Sequence, residues 1–251
     1  MSTNDDFRNR ALRALPGRHV DSTKEILFRT KWSAGDVLMR AGTLSETVLF
    51  PEHGLTVLFS SAGKKRLGVG AVGREGMLYP TSAVLDRKPR FDAVAMTPGD
   101  GYRLHVGRLR ELLEDSRSLQ MFVHEAAASL QELIASTAVA NGLAPVDQRL
   151  ARWLLMCGDR IGETFNVSHE VLAEALGVRR PGVTDAIHGL EGRGFIRSRR
   201  MEMEIVDRSR LQAFAEPFYD GAEVLVLIRN GILRRSRPST LRKQDDLAFW
   251  R

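Results

Sequence analysis

Between Trp32 and Arg103 the apolar positions fall in short runs, several alternating with polar ones, and a glycine or polar cluster closes each: DVLMRAG, TVLF, LTVLFSSAG, RLGVGAVGREG, FDAVAM and GYRLHV. Alternation has the two-residue period of a strand, and turn signals about every eight to twelve residues fit a sandwich or barrel of short strands. The spacing predicts a β-rich domain over residues 20–110, with glycines such as Gly35, Gly42, Gly54 and Gly63 serving turns and bulges.

After a short helical stretch at VGRLRELLEDS the period changes. Leu119, Val123, Ala126, Leu130, Leu133, Thr137 and Ala140 recur with alternating spacings of four and three, and Asp115, Ser116 or Ser118 can cap the start. This predicts a helix of about seven turns over residues 115–141, longer than one small β domain needs. Its seam (Leu119, Val123, Ala126, Leu130, Leu133 and Thr137) can pair with a second copy of the helix or pack on the β domain, and self-association is the expectation adopted.

A third region spans residues 145–211. In VDQRLARWLLMCGDRIG, Leu150, Trp153, Leu154 and Cys157 share a helical face, with Asp147 placed to cap it and Gly158 near its stop. Ser168 then caps SHEVLAEAL, whose inner face is Leu172, Ala173 and Leu176. Gly177 suits the left-handed position past a helix end, and Pro181 suits the first turn of the next, which carries Val183, Ile187 and Leu190 inward. Two helices joined by so tight a turn form a helix-turn-helix, and small Ala173 permits the close crossing. Beyond it, Phe195 and Ile196, then Met203 and Ile205, fit two short inward-facing strands, with Ser198, Arg199 and Arg200 between them. A hairpin there is a wing, placed to meet a phosphate backbone while residues 181–192 enter the major groove.

The net charge of +6 over 251 residues is spread along the chain, so it is compatible with a polyanionic partner without pointing to one. The single cysteine, Cys157, excludes an internal disulfide and a thiolate metal cluster, and reads as a buried small hydrophobe. No run approaches a membrane span, and the N-terminus lacks the apolar centre of a secretory signal, so a cytoplasmic protein without membrane association is expected. No catalytic constellation, metal-spaced cluster or cofactor motif is present, and GVGAVGREG lacks the helix that a dinucleotide loop requires. The chain therefore reads as a non-enzyme with neither cofactor nor metal. Residues 217–251 form a tail in which VLVLIRNGIL fits a strand or docking helix and the end fits a basic arm.

RLARWLLM, LAEALGVRRPGVTDAIHGLEGRGFIRSRR and IVDRSRL resemble the C-terminal half of bacterial transcription regulators of the Crp/Fnr family, and WSAGDVLMRAGTLSETVLF with VGREGM resembles their sensor domain. The resemblance implies an α+β protein with an N-terminal cyclic-nucleotide-binding-like β-roll, a long dimerisation helix and a C-terminal winged helix-turn-helix. It implies a homodimer on a roughly palindromic duplex, with RNA polymerase as a further partner. By position, Arg180 is the candidate for guanine O6 and N7, Pro181 and Asp185 stand at the other base-reading positions, and Arg179, Thr184, Ser198, Arg199 and Arg200 face phosphate. Proline cannot hydrogen-bond a base edge and aspartate repels phosphate, so the family's best-known half-site does not transfer. Met201 stands where the wing commonly turns on glycine. The possible effector pocket is Arg74, Glu75 and Arg90, but Gly73-Arg74 and Arg90-Phe91 replace the Gly-Glu and Arg-Ser or Arg-Thr pairs of cyclic-nucleotide binders, which argues against such a ligand. The effector is left open. The alternative is a cyclic-nucleotide or other small-ligand-binding interaction module without sequence-specific DNA binding.

Overall fold

In the computed structural model, which describes residues 7–13, 23–78 and 85–219, the alternation in the N-terminal half resolves into two antiparallel sheets. One has the order β1 (Phe28–Trp32), β7 (Gly99–His105), β3 (Thr47–His53). The other runs β2 (Val37–Met39), β6 (Asp92–Ala95), β4 (Thr56–Ala62), β5 (Lys65–Val72). Period two sends neighbours to opposite faces. Leu49 and Leu58 point between the sheets with Trp32, Leu78 and Ala93. Val48 and Phe50 point outward beneath α1 (Arg10–Arg13) and α2 (Val106–Asp115), while Val57 and Phe59 point outward on the other sheet. Both outer faces are therefore apolar and must be covered.

Helix α3 (Arg117–Leu143) covers part of that surface. Ser116 is its cap, the hydroxyl accepting from Leu119 N–H at 3.2 Å. The heptad seam expected to pair with another copy is occupied by this chain itself. Leu119 and Val123 pack with Phe7, Val48, Phe50 and Leu104, and Leu133 joins the cluster around the next helix. Ala126 and Leu130 face Ala71 and Val72 of β5, and Thr137 Oγ1 accepts from Arg152 at 2.9 Å. Burying such side chains intramolecularly contributes about 1.5–3 kcal/mol for each large one. The seam reading is thereby corrected: the exposed stripe of α3 is a second one, at Met121, His124, Ala128, Gln131, Ala135, Ala138 and Gly142, which also alternates spacings of three and four.

Helix α4 (Val146–Ile161) is buried without interruption from Leu150 to Arg160, because the β domain lies on one side and the helix-turn-helix on the other. Trp153, Leu154 and Cys157 share one core with Val57, Phe59, Val94 and Met96 from the β domain and with Leu172, Ile187 and Met203 from the C-terminal region. Two details of the expected helix change. Asp147 lies inside the first turn, accepting from Gln148 N–H at 2.9 Å, and Pro145 holds the cap position. Gly158 does not end the helix; a Cβ there would lie 2.9 Å from Ile205 Cδ1, so its smallness serves packing, and Gly162 at φ 99° is the stop.

The remaining elements are β8 (Thr164–Asn166), α5 (His169–Leu176), α6 (Arg180–Gly192), β9 (Ile196–Arg199), β10 (Glu202–Ile205) and α7 (Arg208–Ala215). Strand β8, missed in the sequence reading, pairs with β10 and makes the wing sheet three-stranded. Past α7, buried Tyr219 donates to Asp159, which also accepts from Arg208, and Phe218 O accepts from Arg152 Nε at 3.0 Å. Those bonds pin the start of the tail to α4. The expected VLVLIRNGIL element and basic arm lie outside the described residues. Among the described residues no helix is long and apolar enough to cross a membrane.

Candidate nucleic-acid interface

Ser168 Oγ accepts from Val171 N–H at 3.2 Å and so starts α5. Gly177 ends it at φ 63°, with its own N–H donating to Glu174 O at 3.1 Å and Val178 N–H donating to Ala173 O at 3.0 Å. Arg179 in an extended conformation and Pro181 in the first turn restart the chain as α6. Leu172, Ala173, Ala175 and Leu176 of α5 meet Val183, Ala186, Ile187 and Leu190 of α6 in the core.

What α6 leaves outside is Arg180, Pro181, Asp185, His188, Gly189 and Gly192, with Arg179 exposed just before it and Thr184 half-buried. Thr184 Oγ1 donates to Arg180 O at 3.2 Å. The structure brings together the expected Arg179, Arg180, Pro181, Thr184 and Asp185 at one end of this face. His188, one turn beyond Thr184, was missed. The signal was available, since positions 181, 184, 185 and 188 follow a helical repeat opposite to the apolar one. Open space surrounds Gly182, Gly189 and Gly192, so the backbone of this face can approach a surface closely.

The wing turns at Met201, φ 62°, in the left-handed region normally left to glycine. Arg197 pairs with Glu204 at 2.9 Å and Arg199 with Glu202 at 3.5 Å, both across the hairpin and solvent-exposed. Ser198 N–H donates to Glu191 Oε1 at 2.6 Å, tying the wing to the end of α6. Arg200 has no side-chain partner among the described residues, so its positive charge at the tip is uncompensated.

The β domain bears directly on the turn between the two helices. Leu67 lies over Gly177, where an added Cβ would come within 2.6 Å of its Cδ1, and Arg66 pairs with Glu174. Gly68 abuts Ala175 and Trp153 so closely that a Cβ would lie 2.8 Å from Ala175 O.

The expected effector trio is not brought together. Arg90 is exposed on the loop before β6, Arg74 is half-buried and faces a different cleft, and Glu75 is buried. Glu75 Oε1 accepts from Arg160 Nε at 2.7 Å and from Gly73 N–H at 2.9 Å. Burial disfavours the Arg160 charge, but the facing Glu75 carboxylate outweighs it, and the guanidinium stays ionised above its ordinary pKa. Glu75 lies in the turn after β5, and its partner 85 residues away was invisible in the sequence. Between the β domain and α3 the cavity lined by Ala71, Glu75, Ser129 and Leu130 holds about 30 Å³, space for a water and far below a nucleotide.

Residues 148–214 match the Crp-like helix-turn-helix domain family. The chain carries a Crp-like DNA-binding domain. Its fold as a whole is that of Crp/Fnr-type regulators, with a cyclic-nucleotide-binding-like β-roll ahead of the Crp-like domain. A Crp-family transcriptional regulator from Thermus thermophilus is 19% identical, with 74% of this chain and 96% of that one covered and a TM-score of 0.60. FixK2 of Bradyrhizobium japonicum is 13% identical over 75% of this chain and 97% of its own, at 0.65. The c-di-GMP-responsive global regulator CLP of Xanthomonas campestris is 13% identical over 76% and 99%, at 0.60. No functionally curated protein matches the sequence.

Proposed function

We propose that the protein is a sequence-specific DNA-binding transcription regulator that works as a homodimer on a palindromic operator in the cytoplasm. The observation that carries this reading is the exposed face of α6 in the Crp-like domain, where Arg179 and Arg180, unpaired among the described residues, stand at the helix start, with Arg200 exposed at the wing tip. Arg180 reads guanine through its planar fork, Asp185 and His188 meet the following base edges, and Arg179, Thr184, Ser198, Arg199 and Arg200 hold phosphate. The pairs Arg199–Glu202 and Arg197–Glu204 are exposed, worth at most about 1 kcal/mol each, and exchange readily for phosphate. RNA polymerase is the partner on which such a regulator acts.

Dimerisation proceeds through the outer stripe of α3. Met121 is 57% exposed, Val139 53% and Leu143 74%, and Ala128, Ala135 and Ala138 between them allow two helices to approach closely. A cyclic nucleotide is not the effector, since Glu75 is engaged by Arg160 and the cavity beneath it is too small.

Selection of bound duplexes from a random pool tests the reading. A two-half-site palindrome is expected, with Arg180→Ala weakening specific binding by about 10- to 100-fold, the worth of one bidentate base contact, and non-specific binding much less. Equal loss on all sequences makes Arg180 a phosphate contact, and no enriched sequence overturns the proposal. Ala135→Arg is expected to convert dimer to monomer by light scattering without loss of helical circular dichroism; an unchanged dimer moves the interface off this stripe.

A further inference from the structure

Beside the β3–β4 turn, between the N-terminal segment, the loop at residues 73–75 and the α4–β8 connection, lies a cleft of about 590 Å³. That size is within the range of small-molecule sites, and it is separate from the small cavity under α3. Most of the charges around it are already engaged. Arg160 is bound to Glu75, and Asp159 to Arg208 and Tyr219. Glu52 accepts the N–H groups of Arg8 and Asn9 at 2.7 and 3.1 Å, and His53 meets Asp100 at 2.6 Å.

Two guanidiniums remain. Arg8 and Arg74 both line the cleft, and neither side chain has a hydrogen-bond or ion-pair partner among the described residues. They come from chain segments that are joined by Arg10 N–H donating to Arg74 O at 2.9 Å, so the two segments lie side by side at the cleft. Arg74 has other cations near it as well. Arg10 has its pKa lowered, first by burial and then by repulsion from Arg13 and Arg74. Two planar forks on separate segments suit an anion whose oxygens point in several directions, and phosphate offers this where a single carboxylate does not.

We propose that this cleft binds a small phosphorylated metabolite, its phosphate held between the Arg8 and Arg74 guanidiniums. Phe165, Ile161 and Pro98 supply apolar wall for the body of the ligand. The loop that presents Arg74 outward presents Glu75 inward to Arg160, so an occupied cleft bears on the same loop that holds α4 of the Crp-like domain against the β domain.

Calorimetry on the full chain without DNA tests this with inorganic phosphate, pyrophosphate and glycerol 3-phosphate, at constant ionic strength in chloride. Saturable binding of one anion per chain is expected, weakened at least tenfold in Arg8→Ala and in Arg74→Ala, partly restored in Arg74→Lys, and unchanged in Arg90→Ala. Arg8→Ala keeps the backbone bond to Glu52, and matched thermal unfolding confirms that each variant is folded. Absence of saturable binding, binding by both alanine variants as tight as by the parent, equal affinity for citrate, or loss only in Arg180→Ala, which would place the anion on the DNA-facing surface, each overturns the proposal. Because no DNA is present, this result and the operator selection fail independently.

Discussion

Replacing Glu75 with glutamine leaves Arg160 charged, enclosed and without its counter-ion. The two side chains are 5% and 1% exposed and meet at 2.7 Å, so bulk solvent cannot take over the role of the carboxylate. Removing one member of such a buried pair costs about 3–5 kcal/mol, because the remaining charge keeps its full desolvation penalty. Glutamine sits at the low end. Its amide oxygen can still accept from Arg160 Nε and Gly73 N–H, while its NH₂ falls where Glu75 Oε2 already lacks a partner. Alanine removes both bonds and belongs at the high end. Arg160→Met in the Glu75→Gln background discards the orphan charge, and the double variant should recover to within roughly 1 kcal/mol of the parent, since a hydrophobic replacement of a buried pair is often neutral. Guanidinium chloride unfolding at fixed protomer concentration, followed by circular dichroism and tryptophan fluorescence, measures each step. At about 2–4 °C per kcal/mol for a chain of this size, Glu75→Gln should also lose roughly 6–12 °C in melting temperature. Stability within about 0.5 kcal/mol of the parent for Glu75→Gln, the range of an ordinary surface substitution, refutes the reasoning. So does a double variant as unstable as the two single losses added together.

Gly177→Ala forces a Cβ into both a left-handed backbone and Leu67, and should cost at least about 1–2 kcal/mol by the same unfolding assay; a neutral or stabilising effect contradicts the turn geometry. Burial pushes the Cys157 thiol up to about 12, so at pH 8 it should resist an aromatic disulfide reagent until the protein unfolds, and rapid labelling of the native chain would contradict its burial. Burial raises the Asp100 carboxyl, but hydrogen bonds from Arg29 and His53 prevail and hold it below its usual value. A lowered folded pKa stabilises above the unfolded pKa and loses that contribution as pH falls through the folded one. The stability gap between the parent and Asp100→Asn should therefore shrink below the ordinary carboxylate range; a gap that widens with acid would reverse the sign.

The helix-turn-helix was legible in the sequence because its signals are local. A capping serine, a glycine stop, a proline restart and an apolar stripe each act within a few residues, and all four hold in the structure at Ser168, Gly177, Pro181 and Val183–Ile187–Leu190. The short strands were legible for the same reason, since alternation is a property of neighbours. Helix α3 shows where this ends. It carries two stripes of the same three-and-four spacing, and periodicity cannot say which one the protein covers; the β domain and α4 took the Leu119–Thr137 stripe and left Met121 to Gly142 outside. Glu75 and Arg160 meet, and Arg8 and Arg74 line one cleft, across long stretches of chain, so their roles depend on how the sheets and the Crp-like domain pack. The sequence by itself determined most of the elements and where the second helix of the helix-turn-helix begins. Only the tertiary structure decided which faces are buried in the core, which charges are paired and which are left to bind something else, because burial and ion pairing depend on neighbours in space rather than in sequence.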